Sequence, residues 1–156
     1  QVKNSYDYVI IDCMPSLGML TINALTAADK VIIPVQAQYL PAKGMTQLLY
    51  NVAKVQRQLN PDLKIGGIVM TLIDQRTSLA KETIEAIRKN YGAGIRIYSA
   101  QIPVGVKAAE ASGRGESIYS YDADSKPAAA YAELTREVLK DGEKARTDRL
   151  RSSGDR

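Results

Sequence analysis

The chain has 156 residues, 45% of them apolar, with 21 Lys and Arg against 17 Asp and Glu, a balance that suits one soluble globular domain with an adequate core. One cysteine and no histidine exclude an internal disulfide, a His-based triad and a His- or Cys-built metal centre, so any metal would be a hard cation held by oxygen. No apolar run approaches bilayer length and no signal-peptide pattern occurs, which makes the cytoplasm the default expectation.

The first element is an apolar run, Tyr8-Val9-Ile10-Ile11, ending abruptly in Asp12 and followed by a loop with Pro15 and Gly18. It predicts a strand buried on both faces, since such strands are continuously apolar. Asp12 then stands at the strand's carboxyl end, where open α/β sheets place their ligands. A carboxylate there needs a partner, because an unpaired buried charge costs on the order of several kcal/mol. Either Asp12 caps the next turn, or it serves a hydrated Mg²⁺ as in phosphoryl-transfer proteins. Cys13 reads as a small packing residue beside the strand end rather than a reactive thiol.

Residues 17 to 28 can form a short helix, and Lys30 to Val35 the next strand. Met45, Leu48, Leu49, Val52, Val55 and Leu59 recur at helical spacing until Asn60-Pro61 stops them. Lys64 to Thr71 predicts a strand with apolar content from Ile65, Ile68, Val69 and Met70. Thr77 or Ser78 can cap a helix with Ala80, Ile84, Ile87 and Tyr91 inside and Lys81, Glu82, Glu85, Arg88 and Lys89 outside. Ile95 to Ala100 suits a strand, and Val104 to Ala111 a short helix. Ser112-Gly113-Arg114-Gly115-Glu116-Ser117 reads as a loop. Pro127 near its start, with Tyr131, Leu134 and Val138 on one face, marks the last helix. From Asp141 to Arg156 only Ala145 and Leu150 are apolar, so that tail is expected to be disordered. Strand–helix alternation gives an α/β fold with a mostly parallel sheet, flanking helices and right-handed crossovers.

The net charge of +4 is uneven: residues 42 to 100 hold nine basic and four acidic groups. A basic face is what a nucleic-acid binder presents, and an ordinary solvated Lys/Arg surface carries the same counts.

The stretch from Asp12 to Leu25, Asp-Cys-Met-Pro-Ser-Leu-Gly-Met-Leu-Thr-Ile-Asn-Ala-Leu, resembles the Walker B and switch II segment of ParA/Soj-type partition ATPases. These are deviant-Walker P-loop ATPases related to MinD. The resemblance continues through Val31 to Tyr39 and Val69 to Thr77, and returns in Ile102-Pro103-Val104-Gly105-Val106-Lys107-Ala108-Ala109-Glu110. It covers residues 5 to 140 in order, which defines the expected domain as 1–140 with the tail at 141–156.

The resemblance implies a P-loop NTPase-like fold, incomplete here. It assigns Asp12 to the catalytic Walker B carboxylate, holding Mg²⁺ through water, and Pro15 to Gly18 to switch II. The family usually has two prolines where this chain has Met14-Pro15. Gln38 falls where many relatives have a Glu touching nucleotide in the ATP-bound dimer; it keeps hydrogen bonding and drops the charge. Thr71 and the Ile102-Pro103-Val104 loop fall where the family places adenine, so ATP and Mg²⁺ are the implied cofactors. Of two basic positions beside that loop used for non-specific DNA binding, only Lys107 carries over, Val104 replacing the other; Arg76 is a second DNA candidate. ATP-dependent homodimerisation, a ParB-like partner and a nucleoid-associated cytoplasmic location follow from the same resemblance. MinD-like relatives end in an amphipathic membrane helix, and the tail lacks the apolar residues for one.

A Walker A loop needs glycines, a Lys and a Ser/Thr around the phosphates, and neither Gly-Lys-Ser/Thr nor a Lys-Gly-Gly start occurs. The expectation is therefore a carboxyl-terminal portion of an ATPase that partitions plasmid, chromosome or mobile-element DNA, inactive by itself. The alternative is a non-catalytic interaction or regulatory module without nucleotide. An iron–sulfur reductase is disfavoured, because one Cys cannot ligate a cluster.

Overall fold

Apolar runs spaced by helical patterns position the elements, and the computed structural model, which describes residues 5–14, 18–37 and 42–154, follows that alternation. Its elements are α1 (Met19–Ala27), β1 (Lys30–Gln36), α2 (Ala42–Gln58), β2 (Lys64–Ile73), α3 (Ser78–Tyr91), β3 (Ile97–Pro103), α4 (Val106–Arg114), α5 (Ile118–Tyr121) and α6 (Lys126–Gly154). The strands form one parallel sheet in the order β1-β2-β3. The chain divides into two compact units, residues 1–32 with 41–66 and residues 33–40 with 67–156.

In the first unit the helical stripe of α2 is what the spacing predicts. Val52 and Val55 are buried with Leu25 and Leu63, and Ile22, Ala28, Val31, Leu48 and Ile65 pack around them. Leu59 is the exception and is exposed, because α2 ends at Gln58 and the chain leaves the stripe. Asn60 does more than stop that helix. Its amide donates to the carbonyls of Leu25 (3.1 Å) and Ala28 (2.8 Å), satisfying groups that the end of α1 leaves open.

In the second unit Val69, Tyr98 and Ile102 form a core against Ala130, Leu134 and Val138 of α6. Tyr131, predicted on that face, is exposed, and its neighbour Ala130 takes the inward place. Thr77 caps α3 by accepting from the Ala80 amide. Ala80, Thr83 and Ile87 form the buried stripe of α3, and all five predicted outer charges are exposed.

The ladder between β2 and β3 is irregular at two places. Ile68 pairs with Ile97 and Met70 with Gln101, so β3 spends four residues where β2 spends two. Ile73 then pairs with Pro103, and the extra residue lies on β2, where Leu72 takes a left-handed φ of 51°. Such a conformation costs a non-glycine residue about 1–2 kcal/mol.

Four expectations are corrected. Residues 8 to 14 form no strand and are exposed, with Ile10 at 92%; the three described strands give this run no ladder partner, and a strand without one is only extended chain. Cys13 is accordingly an exposed free thiol, not a packing residue. Helix α4 runs on through Ser112-Gly113-Arg114 and stops at Gly115, whose left-handed φ of 68° makes the cap. The last helix continues to Gly154, past Asp141, where a structureless tail is expected. Strong helix formers dominate residues 143 to 151, and composition alone does not register that propensity.

Candidate functional site

In the second unit the carboxyl ends of the three strands are stitched together by backbone bonds. The Ala37 amide, just past β1, donates to the Thr71 carbonyl at 3.0 Å. The Val104 amide, just past β3, donates to the Ile73 carbonyl at 3.1 Å. Thr71 and Pro103 thus stand on adjacent strand ends, beside the bulge that carries Leu72. Parallel α/β sheets bind ligands at this edge, and local backbone strain gathers at such sites.

The loop after β3 is seated on the start of α6. A Cβ added to Gly105 would lie 2.4 Å from the Pro127 ring, so only glycine permits this approach without movement.

The turn after β2 is held by charge. The Asp74 carboxylate accepts from the Arg76 guanidinium at 2.9 and 2.8 Å and from the Arg76 amide at 3.1 Å. These bonds, the side-chain pair first, hold the Asp74 carboxyl down at about 2. Arg76 is 89% exposed, so its fork remains open to water while paired. Asp74 was not singled out from sequence, although an acid two residues before an Arg in a post-strand turn is a legible signal.

Lys107 lies on the first turn of α4 and donates to Glu110 at 3.1 Å. The Tyr121 hydroxyl donates to the same Glu110 oxygen at 2.8 Å. Together, Tyr121 first and Lys107 second, they hold the Glu110 carboxyl below its usual range. Glu110 in turn raises the Lys107 ammonium and the Tyr121 phenol.

Asp12 belongs to the first unit and lies on its exposed, irregular segment. Pro15 and Gln38 lie outside the described residues. Among the described residues no three His, Cys, Asp or Glu side chains gather around a common metal position. Asp12 is a hard oxygen donor that suits Mg²⁺ through water, an ion that takes only one or two carboxylates. No helix among the described residues is long and apolar enough to cross a membrane.

Residues 1–65 match a family model described as an AAA domain. Soj of Bacillus subtilis, a sporulation initiation inhibitor protein, is 47% identical over 141 residues, which are 90% of this chain and 55% of Soj. The chain is a homologue of the Soj/ParA chromosome-partitioning ATPases. The chromosome partitioning protein ParA of Caulobacter vibrioides is 41% identical over 89% of this chain and 51% of its own length. Among solved structures, cobyrinic acid a,c-diamide synthase from Mycobacterium smegmatis, with bound ADP and magnesium, matches at a TM-score of 0.72. It is 34% identical over 89% of this chain and 49% of that one. The fold is thus P-loop NTPase-like, and the chain spans about half the length of the Soj and ParA relatives it matches.

Proposed function

We propose that this chain supplies the base-facing and switch portion of a ParA-type ATPase that segregates DNA. The observation that carries this reading is the juxtaposition of Thr71 and Pro103 at stitched strand ends, in a chain homologous to Soj and ParA over nine-tenths of its length. In this reading Thr71 and Pro103 bound the adenine, with specificity from backbone groups rather than charged side chains. The absence of an Asn-Lys-x-Asp pattern favours ATP over GTP.

Asp12, the Walker B carboxylate in this reading, orients the water shell of Mg²⁺. The ion supplies charge neutralisation at the β- and γ-phosphates when bound. Pro15 to Gly18 act as switch II, and Gln38 reaches nucleotide in an ATP-bound homodimer. Lys107 and Arg76 contact DNA phosphates without sequence preference, and a ParB-like protein is the partner in the cytoplasm at the nucleoid. A related solved protein binds ADP and magnesium, which supports the cofactor assignment.

The test is sedimentation and DNA retention by the protein expressed from its whole reading frame, with and without ATP·Mg²⁺. A dimer that holds unrelated duplexes only with ATP is expected. A species of unchanged mass that ignores both ligands would sink the reading.

A further inference from the structure

Two cations on one face of α4 share a single aromatic ring. Lys107 and Arg114 are seven residues apart, two helical turns, so they project from the same side. The Lys107 ammonium lies 5.5 Å from the centroid of the Tyr121 ring and the Arg114 guanidinium 5.2 Å. The ring faces both cations, and its hydroxyl is fixed on Glu110 between them. Lys107, Glu110 and Arg114 are all exposed, whereas Tyr121 is half-buried and gives a firm platform.

We propose that Arg114 joins Lys107 as a second contact to nucleic-acid phosphates, with Tyr121 as the residue that positions both. The inference rests on the DNA-binding reading above and extends it to residues which that reading leaves unassigned. Two turns of helix separate the two Cα atoms by about 10 Å, and long side chains can close that distance toward successive phosphates of one strand. A guanidinium stacked on a ring keeps its outward N–H groups free to donate, and its planar fork fits a phosphate. A duplex fits this face because its contacts would be cationic and repeated.

The acidic neighbours set the strength of the contact. Glu110 engages Lys107 directly, and Asp122 and Glu116 act on Lys107 and Tyr121 through space. Each opposes an anion, so the face binds weakly and releases readily with salt. Glu110 is therefore expected to limit affinity rather than supply it.

Fluorescence anisotropy on two unrelated duplexes, over a salt series with ATP·Mg²⁺, tests this in the protein from the whole reading frame. R114A should weaken binding to both duplexes alike, roughly three- to ten-fold, and reduce the log–log salt slope by about one. R114K should restore most of the loss, and E110Q should bind more tightly than the parent. R114A binding like the parent, with an unchanged slope, overturns the proposal while a weakened K107E leaves the DNA reading intact. Loss confined to an acidic protein partner, with DNA binding untouched, also overturns it. A parent that holds no DNA removes the underlying reading and this inference with it.

Discussion

The carboxylate of Glu137 receives the backbone amides of both Ser99 and Ala100, at 3.2 and 2.8 Å. Neighbouring amides of a regular strand point to opposite sides, and here both turn outward because β3 bulges between Ile97 and Gln101. The Ser99 hydroxyl (2.8 Å) and Arg96 (3.1 Å) complete the set around the same carboxylate. Glu137 thus plugs a gap in the edge of the sheet with charge, and Arg96 also pairs with Asp141 one turn further along α6.

Removing the plug leaves the amide of buried Ala100 without a partner, at a cost of about 1–3 kcal/mol, and turns the amide of exposed Ser99 over to water. E137A is expected to lower unfolding stability by roughly 2–4 kcal/mol and E137Q by about half as much, read by urea unfolding near neutral pH. Burial would raise the Glu137 carboxyl, but the bonds from Ala100, Ser99 and Arg96 outweigh it and hold it below its ordinary value. A depressed folded-state value stabilises above the unfolded-state value and loses that contribution as pH falls through the folded one. The parent should therefore lose stability on acidification below about pH 4.5, and E137Q should show a flatter acid limb. Equal slopes for the two would rule out this role.

Gly67 lies under Tyr98. A Cβ there would sit 2.9 Å from the Tyr98 ring and 3.0 Å from the Arg96 carbonyl, at a φ of 151° that side chains rarely adopt. Gly67→Ala should destabilise by at least about 2 kcal/mol. Gly44, within α2 and with open space around it, is the control; Gly44→Ala should stabilise by about 0.5–1 kcal/mol. Thermal melts of both variants give the comparison, and a neutral Gly67→Ala would contradict the packing of Tyr98.

The exposed apolar segment at Val9, Ile10 and Ile11 should drive self-association of residues 1–156. Sedimentation velocity across a concentration series should show mass growing with concentration, and Ile10→Lys should suppress the growth. A sharp monomer at high concentration in the parent would contradict it.

Helices were the most legible part of the sequence. Their stripes at Met45 to Val55 and at Ala80 to Ile87 obey a period that burial enforces over many residues. The strands were legible in β1 to β3 because apolar runs there coincide with real pairing. The same signal at Tyr8 to Ile11 misled, since a run of apolar residues reports a capacity to pair and not the presence of a partner. Tertiary relations left little trace in sequence: Glu137 reaching back 37 residues to Ala100, or Tyr121 gathering Lys107 and Arg114, has no periodic signature. Of the site residues, Thr71 and Pro103 were placed by resemblance, and the structure adds the bonds that set their strand ends side by side.

For the proposed DNA face, R76E and K107E in the protein from the whole reading frame should each weaken binding to all duplexes, roughly ten-fold at moderate salt. Gel shifts with two unrelated sequences would show it. If both variants bind as the parent does, the face lies elsewhere.

Titration calorimetry with ATP·Mg²⁺ tests the assignment of Asp12, Thr71 and Pro103 to a nucleotide site most directly. Phosphate contacts to charged groups contribute about 1.5–3 kcal/mol each, and residues 1–156 carry no Walker A loop to make them. Residues 1–156 alone should show no binding tighter than millimolar. With a Walker A segment of the family joined ahead of Gln1, micromolar binding and slow hydrolysis should appear, and Asp12→Ala should abolish the hydrolysis. Micromolar ATP binding by residues 1–156 alone would contradict the account, because the nucleotide would then be held by groups other than those assigned.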